Sequence, residues 1–97
     1  MPKCFQLRVV STDGTALDTK VTYCGLHTPN GSLGVLANHA PMMCLVREGK
    51  LLFRNEDGDE FTMNHSAGVA RVRENILTIL ADRAEKPVAQ EKKPIAG

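Results

Sequence analysis

Hydrophobic and polar positions alternate along most of the chain. From Phe5 to Val10, Phe5, Leu7 and Val9 fall on one side and Gln6, Arg8 and Val10 on the other, the two-residue period of a half-buried strand. Asp13-Gly14 predicts a turn. A second strand region rich in Thr, Val and Tyr is expected from Ala16 to Leu26, ending at the breaker cluster His27-Thr28-Pro29-Asn30-Gly31-Ser32, which reads as an exposed loop. Gly34-Val35-Leu36 predicts a short strand, and Pro41 pushes the backbone of Ala40 towards an extended form. Met42 to Val46 follows as another strand, Glu48-Gly49 turns the chain, and Lys50 to Arg54 alternates again. Asn55-Glu56-Asp57-Gly58 is a hairpin signal leading into Glu60 to Asn64. The last strands are expected at Val69 to Val72 and Ile76 to Leu80, separated by the polar turn Arg73-Glu74-Asn75.

Strand and turn signals thus recur roughly every 8 to 12 residues, and no 3.6-residue apolar period precedes residue 80. That spacing predicts an all-β sandwich or flattened barrel. Met42 to Val46 and Ile76 to Leu80 are apolar at successive positions, so one side of each strand is expected in the core and the other against a partner or a covering loop. Ala81 to Glu85 has room for one helical turn, which Pro87 would stop. The expected organisation is a single domain over residues 1–85 and a flexible tail over residues 86–97, rich in Lys, Glu, Pro and Gln.

Composition narrows the function classes. At 97 residues the chain has room for one domain and one core. The formal net charge is +1 with the lysines and arginines scattered, so no basic stripe is available to neutralise phosphates. Phe5, Tyr23, Phe53 and Phe61 are dispersed rather than gathered as a platform for stacked bases, which further disfavours a nucleic-acid ligand. Cys4, Cys24 and Cys44 are odd in number and lie in apolar stretches, the pattern of reduced, buried thiols and a cytoplasmic setting rather than a disulfide framework. Neither a signal-peptide core nor a run of ~18 apolar residues is present, so the chain is expected to be soluble and not to span a membrane.

Candidate chemistry is sparse. His27, His39 and His65 lack ligand spacing and are expected at loop or surface positions, and the cysteines form no zinc-pinching pair. No Ser occupies a nucleophile elbow, and the acidic cluster Asp57, Asp59 and Glu60 reads as a solvated hairpin tip. Gly31-Ser32-Leu33-Gly34 lacks the lysine and helix of a phosphate-binding loop. No metal, cofactor or catalytic site is expected.

The segment Gly31-Ser32-Leu33-Gly34-Val35-Leu36-Ala37-Asn38-His39-Ala40-Pro41-Met42-Met43 resembles the G-x-x-G-V-L-x-x-H-A-P signature of the epsilon subunit of rotary ATP synthases. Phe5 to Ser11, Arg47-Glu48-Gly49, the Gly68-Val69-Ala70-x-Val72 step and the run from Val72 through Asn75 and Ile76 to Asp82 resemble the same family in the same order, from about residue 4 to residue 85. The resemblance implies a flattened ten-stranded β-sandwich in the central stalk. It implies a non-catalytic rotor subunit that couples the gamma subunit to the c ring of a proton- or sodium-translocating synthase. Such a subunit would be peripheral at the cytoplasmic face of an energy-transducing membrane such as the bacterial plasma membrane, touching it only through the complex. By position, the loop Pro29, Asn30, Gly31, Ser32 and the corner Asn38, His39, Ala40, Pro41 would face the ring and gamma, with Met42 and Met43 beside them as adaptable apolar contacts. An internally packed corner is the alternative for these residues, above all for Ala40 and Pro41. Twelve residues follow Glu85, against the roughly 25 to 40 that two helices and a loop require. The expectation is therefore either a naturally short form or a chain cut before the family's C-terminal helical hairpin, and in both cases no inhibitory or ATP-sensing role for these residues. The alternative function is a free-standing β-sandwich adaptor outside the synthase.

Overall fold

A computed structural model describes residues 3–90. Ten strands succeed one another: β1 (Phe5–Ser11), β2 (Gly14–Val21), β3 (Tyr23–Thr28), β4 (Gly31–Leu36), β5 (Met42–Val46), β6 (Gly49–Arg54), β7 (Glu60–His65), β8 (Gly68–Arg73), β9 (Ile76–Ala81) and β10 (Val88–Ala89). They form two five-stranded sheets, ordered β2-β1-β9-β8-β5 and β10-β7-β6-β3-β4. Every pairing is antiparallel except that of β1 with β9, which run parallel from Gln6↔Ile76 to Val10↔Leu80. The expected all-β sandwich is what forms.

Alternation decides what each strand buries. Phe5, Leu7 and Val9 of β1 point inward with Leu77 and Ile79 of β9 and Ala70 and Val72 of β8. They meet Cys24, Leu26, Val35, Leu51, Phe53 and Met63 from the other sheet, so two inner faces interdigitate into one core. The rings of Phe53 and Phe61, paired across β6 and β7, stack at 5.1 Å between centroids.

The second expected strand is two. Between β2 and β3 the chain leaves one sheet for the other at Thr22, whose N–H and hydroxyl both donate to the Arg54 carbonyl, at 2.8 and 3.3 Å. A residue with high β propensity marks this corner, so composition alone conceals it. The breaker cluster also resolves differently from a loop. Only Pro29 and Asn30 turn, between the paired residues Thr28 and Gly31, and the Thr28 hydroxyl donates to the Gly31 carbonyl at 2.8 Å. Pro at the first central position and Gly after the turn suit a tight hairpin.

Beyond β9, no helical turn forms at Ala81–Glu85. The segment stays extended beside β7: the Ser66 N–H donates to the Arg83 carbonyl at 2.9 Å, and the Glu85 N–H to the Asn64 carbonyl at 2.9 Å. Extended backbone continues into the stretch expected to be a flexible tail, where Val88 and Ala89 pair with Thr62 and Phe61 as β10. Pro87 precedes this edge strand, where a missing N–H costs no ladder bond. The rest of that expected tail, residues 91–97, lies outside the described residues.

Two thiols illustrate the core and its rim. Cys24 is fully buried, and burial pushes its thiol up to about 12. In the unfolded chain it would ionise near pH ~8.5, so stability is fully present below that pH and declines as pH rises towards 12. Accordingly, a maleimide probe at pH 8 should label Cys44 in the native protein far faster than Cys24, and label both at similar rates in denaturant. Mass spectrometry of the labelled peptides reads the difference, and equal native rates would contradict this core.

Candidate functional site

The residues singled out in the sequence lie at opposite ends of the sandwich. Thr28 and Gly31 sit at the end where β6 begins at Gly49, because Tyr23 pairs with Arg54 and Gly25 with Leu52 further along. The hairpin Pro29, Asn30, Gly31, Ser32 is exposed there. Asn38, His39, Ala40 and Pro41 lie at the other end, beyond Leu36, one length of β4 away, or about 17 Å at the usual strand rise. Met42 and Met43 open β5 on the corner's side and diverge at once, Met42 packing on the core and Met43 standing 69% exposed. The structure thus joins Asn38, His39 and Met43 at one end and separates them from Pro29–Ser32.

The corner is built by a left-handed residue and local bonds. Asn38 has φ 64°, and the His39 N–H donates to the Leu36 carbonyl at 3.3 Å. The His39 ring donates from Nδ1 to the Ala40 carbonyl at 2.7 Å, which places the proton of the neutral ring on Nδ1 and leaves Nε2 as its acceptor. His39 is half-buried, His27 is exposed on β3, and His65 departs from expectation. Rather than lying at a loop or surface position, His65 is 5% exposed and donates from Nδ1 to the Ser66 carbonyl at 2.8 Å. The extended segment after β9 covers it, through the bridge between His65 and Ala84.

The sheet containing β5 carries a feature that only the strand order reveals. Register aligns Leu45 with Val69, Val69 with Leu80, and Leu80 with Val10, so four apolar side chains form a row across β5, β8, β9 and β1 on the outer face. Leu45 is 63% and Leu80 52% exposed. The neighbouring row reads Met43, Arg71, Thr78, Arg8, and Arg8 meets Asp18 of β2 at 3.6 Å. A shallow depression of about 250 Å³, bordered by Val10, Gly68 and Leu80, lies at the far end of the apolar row. The double-sided apolarity of β5 and β9 was legible in the sequence. That Val10 and Val69 complete the row was not, because their alignment depends on β1 pairing with β9 and β8 with β5.

On the other sheet the second glycine of the signature has a local explanation. Gly34 pairs with Gly25, and the Tyr23 ring lies across both: a Cβ on Gly34 would stand 3.1 Å from Tyr23 Cε1. The Arg54 guanidinium covers the ring at 5.5 Å, a cation–π contact.

A groove of about 580 Å³ opens at the hairpin end between Asp13, Glu48, His65, Arg83 and Glu85. Its polar groups serve the segment after β9: Asn64 Nδ2 donates to Glu85 Oε1 at 3.1 Å, and the Arg83 N–H to the Ser66 hydroxyl at 3.0 Å. Among the described residues no group of three or more His, Cys, Asp or Glu is placed to hold a metal ion. No helix there is long and apolar enough to cross a membrane.

Residues 4–87 match the family model described as ATP synthase, Delta/Epsilon chain, beta-sandwich domain. The chain is similar to the ATP synthase epsilon chain of Lawsonia intracellularis, 37% identical over 86 residues, which are 89% of this chain and 64% of that one. The epsilon chain of Desulfitobacterium hafniense is 36% identical over 85 residues, 88% of this chain and again 64% of the relative. The present chain therefore spans a little under two thirds of the length of these relatives. Among solved structures, a chain of the Euglena gracilis mitochondrial ATP synthase, in an assembly of OSCP, F1 and c-ring, superposes with a TM-score of 0.82 at 26% identity, covering 90% of this chain and 55% of that one. A chain from the central stalk and c-ring of the Tetrahymena thermophila mitochondrial ATP synthase shares the fold, with a TM-score of 0.67 at 17% identity over 84% of this chain and 65% of that one.

Proposed function

The chain belongs to the epsilon-chain family of ATP synthases, whose N-terminal β-sandwich domain it carries, and from that premise we propose that it is a non-catalytic central-stalk subunit coupling gamma to the c ring. The synthase is a proton- or sodium-translocating one, and the chain sits peripherally at the cytoplasmic face of the membrane, held there by the complex. The observation that carries the reading is the exposed apolar row Leu45, Val69, Leu80, Val10, with Met43 and the His39 corner at its side. An apolar band flanked by a row that carries Arg71 and Arg8 has the composition of a docking surface. Gamma takes this face and the corner. The hairpin Pro29–Ser32, about 17 Å away along β4, is small and polar and takes the loops of the ring. Torque passes between two partners at two ends of one body, which is stiff because both sheets share one packed core.

Co-purification with gamma and with the c ring tests the proposal, and a chain that retains neither partner defeats it. His39→Ala should weaken retention of gamma about tenfold, or ~1.4 kcal/mol. The melting temperature of the isolated domain should move by less than ~4 °C, because among the described residues the His39 ring bonds to its neighbour's carbonyl alone. A loss of stability as large as the loss of binding would return His39 to a packing role.

A further inference from the structure

The corner that carries His39 is held by a residue outside both contact regions. Glu74 and Asn75 have φ values of 52° and 63°, so the β8–β9 hairpin turns through two left-handed residues, a conformation that asparagine tolerates. The Asn75 amide then reaches two segments remote in sequence. Its Oδ1 accepts the Asn38 N–H at 2.7 Å, and its Nδ2 donates to the Cys4 carbonyl at 2.9 Å. Its own carbonyl accepts the Gln6 N–H at 3.1 Å. The amide can lie only one way round, since an N–H at one end demands an oxygen and a carbonyl at the other demands a nitrogen.

The Asn38 N–H is where this matters. Asn38 is itself left-handed, and Pro41 has no N–H to offer. The other described hydrogen bonds of the corner, from His39 to Leu36 and to Ala40, stay within three residues. The bond to Asn75 is the one that ties the corner to the sandwich and to the start of β1. We infer that Asn75 is a positioning residue that sets the Asn38–Pro41 corner, and with it His39 and Met43, in the orientation that gamma binds. The inference rests on the coupling reading above for the partner, and on the three Asn75 bonds for the mechanism.

Two variants of the full chain separate positioning from turn geometry. Asn75→Gly keeps a residue at ease with a positive φ and removes the amide, whereas Asn75→Asp keeps an acceptor for Asn38 but replaces the donor to the Cys4 carbonyl with a second carboxylate oxygen. In Asn75→Gly the Asn38 amide should exchange with solvent on the order of tenfold faster or more, with the Leu77 and Ile79 amides still protected. Affinity for gamma should fall about tenfold. Asn75→Asp should restore the protection of Asn38 and the affinity only in part, because it serves the Asn38 N–H but turns a carboxylate oxygen towards the Cys4 carbonyl. Unchanged exchange at Asn38 in the glycine variant would overturn the inference, as would protection lost at Leu77 and Ile79 together with Asn38, the mark of a general stability residue. Affinity equal to wild type despite a loosened corner would overturn it as well. A wild-type chain that fails to bind gamma would instead remove the coupling reading, while the exchange at Asn38 would still report whether Asn75 holds the corner.

Discussion

Gly68→Ala should lower the stability of the domain by about 3 kcal/mol and its melting temperature by roughly 15 °C. Gly68 opens β8 opposite Ala81, and a Cβ there would lie 1.9 Å from the Leu80 carbonyl oxygen, 2.9 Å from its carbon and 3.0 Å from Ala81 Cα. All three atoms are backbone, so no rotamer change relieves the collision. β9 would have to withdraw from β8, and it is paired on its far side with β1, so both ladders of the sheet's centre are disturbed. Alanine at Gly34 makes the instructive comparison: it meets the far end of the Tyr23 side chain at 3.1 Å and is relieved by a small swing of the ring. Thermal and denaturant unfolding of Gly68→Ala measures the effect. A midpoint within a few degrees of wild type would mean that β8 and β9 are not spaced as described.

Introducing Leu45→Asp and Leu80→Asp together should reduce affinity for gamma by at least about 100-fold, roughly 2.7 kcal/mol, and leave the domain as stable as before. Both side chains point away from the core, at 63% and 52% exposure, so the folded monomer gives up little apolar burial. In the complex the cost is double. The apolar area of each leucine is lost, worth about 1.5–3 kcal/mol when fully covered, and two carboxylates must shed water in a band whose remaining members are Val69 and Val10. Arg71 lies two residues along β8 from Val69, on the same outer face, and would draw a carboxylate away from the partner without restoring the lost area. Calorimetric titration with gamma, alongside a melting curve of the variant, reads both halves of the expectation. Affinity within threefold of wild type would place gamma elsewhere on the molecule.

Most of the scaffold was legible because alternation survives wherever one side of a strand faces the core. β5 begins and ends where the apolar run Met42–Val46 does, and β6 to β9 extend past the expected strands by a residue or so. Failures occurred where the governing interaction is remote in sequence. Thr22 turns the chain because Arg54 offers a carbonyl there, and no local breaker announces it. Val88 and Ala89 carry no alternation long enough to call, and their strand exists only because β7 presents an open edge. His65 lies in a segment of ordinary polarity and is buried by the return of residues 83–85 over it.

For the proposed contact residues, the sequence offers candidates and no layout. Asn30 and His39 are nine positions apart, and β4 between them, six residues long where the sequence predicts strand only from Gly34 to Leu36, sends them to opposite ends. Asn75 read as one member of a polar turn, since nothing in Arg73-Glu74-Asn75 reveals that its amide meets Asn38 and Cys4.

The parallel pairing of β1 with β9 has a consequence for synthesis on the ribosome. β1 emerges first, with Phe5, Leu7 and Val9 as its apolar side, and β2 can join it as a hairpin within the next ten residues. Its other edge must wait for Ile76–Leu80, so the sheet cannot close until about seventy residues beyond β1 have been translated and the exit tunnel has released them. Until then that edge is open to wrong partners, and a helper that shields the nascent β1–β2 hairpin would act on this step.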